Sequence, residues 1–201
     1  WKAQFDELSR AGWRTIAYDR RGYGRSAPRQ QFAFPYFEED IEDLEALLDV
    51  LNIKQTALVG HSDGGTIGLY FAACRPQRVT SLVTVAAHIF VEDKMEPGIQ
   101  GVRQAYENDA KFCRALENVH GDKAETVFNA WFNGWHKQEN LTWDMRLALQ
   151  QVTCPVLVVQ GVEDEHATPQ HARDIAAGIP VDAQHAGAQL WLVEGGRHML
   201  P

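Results

Sequence analysis

The sequence is poor in cysteine, with three in 201 residues: Cys74, Cys113 and Cys154. They lie far apart and no two form a C-x-x-C pair, which argues against a disulfide framework or a thiolate metal site and favours a reducing, cytoplasmic setting. No apolar run approaches the roughly 20 residues of a membrane span, and none resembles a secretory signal, so no membrane partner is expected. The chain begins at Trp1 rather than Met, which leaves room for a targeting segment upstream. Positive charge is also in deficit. Nineteen Lys and Arg face 27 Asp and Glu, for a net charge of −8, and this disfavours nucleic acid as a partner. The densest basic group, Arg20, Arg21 and Arg25, is interrupted by glycines and reads as a turn. Internal repeats and low-complexity tracts are absent as well.

What is there suits one globular domain. Hydrophobic residues make up 45% and charged residues 23% of the chain, close to the soluble average. Short β-branched runs alternate with amphipathic ones, which predicts an α/β fold with a mostly parallel sheet flanked by helices. The strand candidates are Thr15–Asp19, Thr56–His61, Val79–Ala87, Pro155–Gly161 and Ala188–Gly195. Between Phe37 and Leu51 the apolar positions Phe37, Ile41, Leu44, Leu47, Leu48 and Leu51 recur every three or four residues, which predicts a helix with one buried face. Asp63–Ala73 and Pro169–Ala177 read as further helices. From His88 to Leu149 strand patterns vanish, and Trp131, Phe132, Trp135 and Trp143 sit among helix-compatible residues. Residues 1–87 and 150–201 therefore read as the core, and 88–149 as a helical lid insertion.

The segment Gly60-His61-Ser62-Asp63-Gly64 fits G-x-S-x-G at a strand-to-helix junction, the pattern of a nucleophile elbow. A sharp, strained turn there lifts the serine clear of the sheet, and side chains two positions to either side would collide, hence glycine at both. The Asp63 N–H would open the following helix, where unpaired N–H groups and the helix dipole favour a developing oxyanion. A serine hydroxyl needs a base, and the base needs an orienting group. His198, in Glu194–Pro201 (EGGRHMLP), and Asp164, in Gln160–Pro169 (QGVEDEHATP), both follow strands, on the edge where open α/β sheets carry their sites. The order Ser62, Asp164, His198 is the one this elbow predicts. Glu163 and Glu165 flank Asp164 and remain alternatives for the acid. His61 reads as packing, and His166 and His171 as residues without partners of their own. The Trp131, Phe132 and Trp135 side chains are candidates for the apolar lining of a pocket, or for packing of the insertion on the core.

Four segments together resemble the α/β-hydrolase superfamily: YDRRGYGRS (Tyr18–Ser26), GHSDGG (Gly60–Gly65), PVLVVQGVEDE (Pro155–Glu165) and GGRH (Gly195–His198). Within it the chain is most similar to the valacyclovir hydrolase, or biphenyl hydrolase-like, branch. That closer likeness rests on DRRGYGRS, on the Phe37–Leu51 helix, on Ser62–Gly65 and on Ile89–Arg103. The resemblance implies a serine hydrolase that cleaves carboxylic esters through an acyl-enzyme, with Ser62, Asp164 and His198 as nucleophile, acid and base, a small-molecule ester as partner, and neither metal nor organic cofactor. It also implies that Asp63 receives the ammonium of an amino-acid ester. Simple electrostatics runs the same way, since a carboxylate beside an oxyanion site opposes the developing charge unless a cation neutralises it. The family pattern includes earlier strands with an H-G loop that donates a second oxyanion N–H, and a closing helix. Against that pattern the chain reads as an internal piece of a longer protein, holding the triad and one oxyanion donor.

Rival functions share the fold. Haloalkane dehalogenases and epoxide hydrolases carry Asp at the apex, where this chain has Ser62. Carbon–carbon bond hydrolases and cofactor-free haloperoxidases use serine and stay open as alternatives, as does a non-catalytic binding protein. The sequence does not specify an oligomeric state.

Overall fold

The computed structural model describes residues 1–32, 37–182 and 187–200. Its centre is a four-stranded parallel sheet in sequential order: β1 (Thr56–His61), β2 (Val79–Val85), β3 (Val156–Gly161) and β4 (Ala188–Val193). Val59 lies opposite Val83, Val83 opposite Leu157 and Leu157 opposite Gln189. Because all strands run the same way, their C-terminal ends share one edge, and the loops that leave those ends meet there.

Among the described residues seven α-helices surround or precede the sheet: α1 (Lys2–Arg10), α2 (Glu38–Val50), α3 (Asp63–Cys74), α4 (Met95–Asn108), α5 (Ala110–His120), α6 (Ala124–His136) and α7 (Gln170–Gly178). The three-and-four spacing works as expected in α2, whose Ile41, Leu44 and Leu48 are buried. Helix α3 crosses from β1 to β2 and packs on both, and α7 does the same for β3 and β4. On the sheet face they cover, Leu82, Thr84, Val156, Val158 and Gln160 are buried. On the other face Val59 and Trp191 stay exposed.

The segment between β2 and β3 carries α4, α5, α6 and short 3-10 turns, and an isolated antiparallel bridge between Phe90 and Asp144 closes its base. Its two ends are pinned together: Met145 N–H donates to the Ile89 carbonyl (2.8 Å) and Val91 N–H to that of Trp143 (3.3 Å). The Trp143 indole N–H reaches the Tyr70 hydroxyl on α3 (2.9 Å), which ties this base to the core.

One local expectation fails. Residues Thr15–Asp19 do not form a strand; the segment is irregular, with Ile16 and Tyr18 each 41% exposed. A strand is a pairing as much as a conformation, and among the described residues none lies alongside to complete a ladder. Helix α1, with its N-cap, carries an apolar stripe, Trp1, Phe5 and Leu8, but none of its residues is buried.

Candidate active site

The turn from β1 into α3 places Ser62 at φ 55°, ψ −126°, a strained backbone conformation for a residue with a side chain. The surrounding structure holds it there. Ser62 N–H donates to the Val85 carbonyl (2.8 Å), and the Ser62 carbonyl accepts from Gly65 N–H (2.9 Å). Gly60 is required by contact: a Cβ there would lie 2.2 Å from the Gly64 carbonyl oxygen. Gly64 is not required in the same way, because a Cβ there would meet nothing within 4 Å. The expected symmetry of the two glycines is thus corrected. The crowding comes from the backbone at 64 pressing on residue 60, and a side chain on 64 points outward.

A second close approach brings the other two residues in. A Cβ on Gly161 would sit 2.3 Å from the Gly196 carbonyl oxygen, so the chain leaving β3 and the chain leaving β4 touch backbone to backbone. Glu163 N–H donates to that same carbonyl (2.8 Å). The Asp164 carboxylate is wholly buried and accepts from Gln160 Nε2 (2.7 Å), His166 N–H (2.8 Å) and Ala167 N–H (3.3 Å). It lies 2.9 Å from His198 Nδ1. A carboxylate only accepts, so Nδ1 carries the ring proton and Nε2 turns its lone pair toward Ser62 Oγ, 3.2 Å away. Burial alone would favour the neutral acid at Asp164, but the His198 hydrogen bond and charge, together with the His166 N–H and Gln160, outweigh it. They hold the carboxyl well below the usual carboxylate range. Among the three adjacent acids, Asp164 is the one whose carboxylate faces the ring. The Glu165 carboxylate accepts instead from His198 N–H (3.0 Å) and pairs with Arg197 (3.2 Å).

The pair Ser62–His198 opens on a cavity of about 120 Å³. Its polar wall is Ser62, Asp63, His88, His166 and His198, and its apolar wall is Met95, Ile99 and Val102 from α4 with Trp131 and Trp135 from α6. Phe132 is not on this wall. Positions 131 and 135 share one helix face, whereas Phe132 falls on the next, in line with Phe128 and His136. It packs against the His136 ring at 4.2 Å, tilted by 33°, and lies under Arg103 at 4.9 Å.

Several functional-site residues escape the sequence pattern. The His61 ring donates from Nε2 to the His198 carbonyl (2.9 Å), so it holds the loop that carries His198 rather than merely packing. His166 lies edge-on to His198 at 4.6 Å. His171 is fully buried; its Nδ1 accepts from Ile89 N–H (3.1 Å) and its Nε2 faces Glu92 (3.3 Å). His88, stacked 5.7 Å from His198, is kept neutral by burial and by the neighbouring His171 and His198 rings. The only sequence hint for His61 is a polar residue closing an otherwise apolar strand. His88 and His166 become site residues only through tertiary folding.

Asp63 begins α3, with its N–H at the helix terminus and its carboxylate on the cavity wall, 22% exposed. Loss of hydration pushes its pKa up, against the opposing pull of Arg20. Arg20 Nη1 stands 3.5 Å from Asp63 Oδ2, while its Nε and Nη2 bind the buried Asp40 at 2.9 and 3.1 Å.

A family model described as the alpha/beta hydrolase fold matches residues 1–120. The chain belongs to that family. Serine hydrolase BPHL of Mus musculus is 31% identical over 201 residues, covering 98% of this chain and 67% of the relative, in keeping with the branch resemblance. Rhodomycin D methylesterase DauP of a Streptomyces species is 29% identical over 100% of this chain and 80% of its own length. Among solved structures, a hydrolase from Pseudomonas aeruginosa superposes with a TM-score of 0.66 at 27% identity, over 96% of this chain and 76% of that one. The α/β-hydrolase fold accounts for the parallel sheet, the crossover helices and the placement of the site at the C-terminal strand ends. The chain spans about two thirds of the BPHL relatives it matches.

Proposed function

We propose that this α/β-hydrolase is a serine hydrolase that cleaves carboxylic esters through an acyl-enzyme. One observation carries the reading: Ser62, His198 and Asp164 form a continuous hydrogen-bonded line, 3.2 and 2.9 Å in its two links, whose serine end opens on a cavity. In the proposed reaction Ser62 Oγ attacks the ester carbonyl and passes its proton to His198 Nε2. Asp164 holds the imidazole and stabilises the imidazolium. The Asp63 N–H, at the positive end of α3, binds the oxyanion. His198 then protonates the leaving alcohol, and a water repeats the attack on the acyl-enzyme with His198 again as base, releasing the acid.

The α4–α6 segment acts as a lid, with Trp131 and Trp135 among the apolar contacts for the substrate. The Asp63 carboxylate, on the same wall as the nucleophile, is the candidate contact for an ammonium should the substrate be an amino-acid ester. DauP, a methylesterase by name, supports ester chemistry on this framework.

The test is turnover of 4-nitrophenyl acetate together with labelling by a fluorophosphonate probe. Wild-type protein should do both. Ser62→Ala should lose labelling and fall in kcat by at least about 10⁴-fold. A folded wild-type protein that neither labels nor turns over any ester would overturn the reading and favour a binding protein of this fold.

A further inference from the structure

A carboxylate one residue from the nucleophile invites a cation, and the chain supplies one itself. The Arg20 guanidinium faces Asp63 at 3.5 Å and is held from three other directions. Two of its nitrogens grip Asp40, which is only 2% exposed, and its plane lies over Tyr23 at 4.7 Å and near Phe37 at 5.5 Å. Asp40 in turn carries a second guanidinium, Arg29, through bonds of 3.1 and 2.9 Å. Arg29 has a carboxylate of its own in Glu39 (3.1 Å), so Asp40 is the acid the two guanidinium groups share, and Asp63 is the second carboxylate within reach of Arg20. Asp63 therefore does not present a spare negative charge to the cavity. A substrate ammonium brought to it would compete with Arg20 for the same oxygen atoms and would be repelled by the guanidinium behind them. Beside Ser62 and the three histidines His88, His166 and His198, the wall is made of the apolar Met95, Ile99, Val102, Trp131 and Trp135.

We propose that Arg20 is a specificity-determining residue: an internal counter-ion for Asp63 that sets the acyl pocket to accept neutral, apolar acyl groups at least as well as ammonium-bearing ones. The inference rests on the ester-hydrolase reading and deepens it. It also resolves the conflict between an acid at this position and an oxyanion beside it, because the acid is already compensated.

The experiment compares kcat/KM for matched 4-nitrophenyl esters of phenylalanine and of 3-phenylpropanoic acid, each corrected for spontaneous hydrolysis. Wild-type protein should show a ratio of amino to neutral ester within about threefold of unity. Arg20→Gln should raise that ratio by about tenfold or more, Arg20→Lys should stay near wild type, and Arg20→Gln combined with Asp63→Asn should cancel the gain. A wild-type preference of about a hundredfold for the amino ester, or an unchanged ratio in folded Arg20→Gln, overturns the proposal. Arg20 also neutralises Asp40, so the Gln variant can fail to fold. The wild-type protein alone then decides, by how well 2-phenylethylamine and 2-phenylethanol protect Ser62 from the fluorophosphonate. Equal protection supports the proposal, and protection about tenfold stronger by the amine overturns it. If wild-type protein hydrolyses neither of these esters nor 4-nitrophenyl acetate, the ester reading fails, while the same protection assay still decides the charge of the pocket as long as Ser62 labels.

Discussion

Two carboxylates serve the same site under opposite conditions. Asp164 is wholly buried, yet it accepts from two backbone N–H groups, an amide and the imidazole, and stays ionised far into acid. Asp63 keeps some exposure, yet its one charged partner is 3.5 Å away and its pKa moves up. Burial does not decide the charge of an acid; the number and direction of donors do. The difference suits the two roles proposed for them. A residue that orients a base and stabilises an imidazolium gains from a permanent, immobile charge. A residue beside an oxyanion gains from having its charge answered.

The comparison is broken first by removing each charge in turn. Asp164→Asn should lower kcat for a neutral aryl ester by about 10³- to 10⁴-fold, since the amide cannot fix the correct tautomer of His198. Asp63→Asn should change the same kcat by less than about tenfold, because its backbone N–H remains. Equal losses in steady-state assays would show that Asp63 acts through its charge after all.

The hold on Asp164 depends on where the His198 loop lies, and His61 fixes that loop through its carbonyl. His61→Phe keeps the ring's bulk but loses the donor. It should lower kcat by about tenfold with little change in KM. An unchanged kcat would assign His61 to packing alone.

The smallest effect is the pH dependence of stability, and its sign should differ between the two acids. Asp164 has a depressed pKa, so its contribution is complete above the ordinary carboxylate value and is lost as pH falls toward its folded value. That loss should cost wild type about 1–3 kcal/mol relative to Asp164→Asn across the acid range. Asp63 has a raised pKa, so its ionised form opposes folding. Wild type should gain on Asp63→Asn as pH falls through that raised value. Urea unfolding between about pH 3 and pH 7 measures both slopes. Slopes of the same sign would remove the distinction between the two acids.

Much of this was legible in the residues. Strand β1, the elbow and α3 follow from a β-branched run meeting small residues, and Asp63–Cys74 closes one residue beyond the pattern. The order Ser62, Asp164, His198 reads from the positions of strand ends. The Thr15–Asp19 segment shows the limit of such reading, because β propensity describes a residue's fit to a sheet and not the presence of a neighbouring strand. Phe132 shows another. The aromatic cluster was visible, but only the helix phase separates Trp131 and Trp135 from the residue between them.

Local chemistry along the chain thus settles the parallel α/β framework, the apex serine and the chain order of its partners, because turns, periodicity and strand ends are short-range properties. Which of three neighbouring carboxylates faces His198, the histidines around that ring and the Arg20–Asp63 contact came only with the folded structure. Arg20 is 43 positions from Asp63 and His198 is 136 from Ser62. Contacts over such separations leave no periodic trace in the sequence; they exist because a parallel sheet gathers the loops of distant strands along one edge.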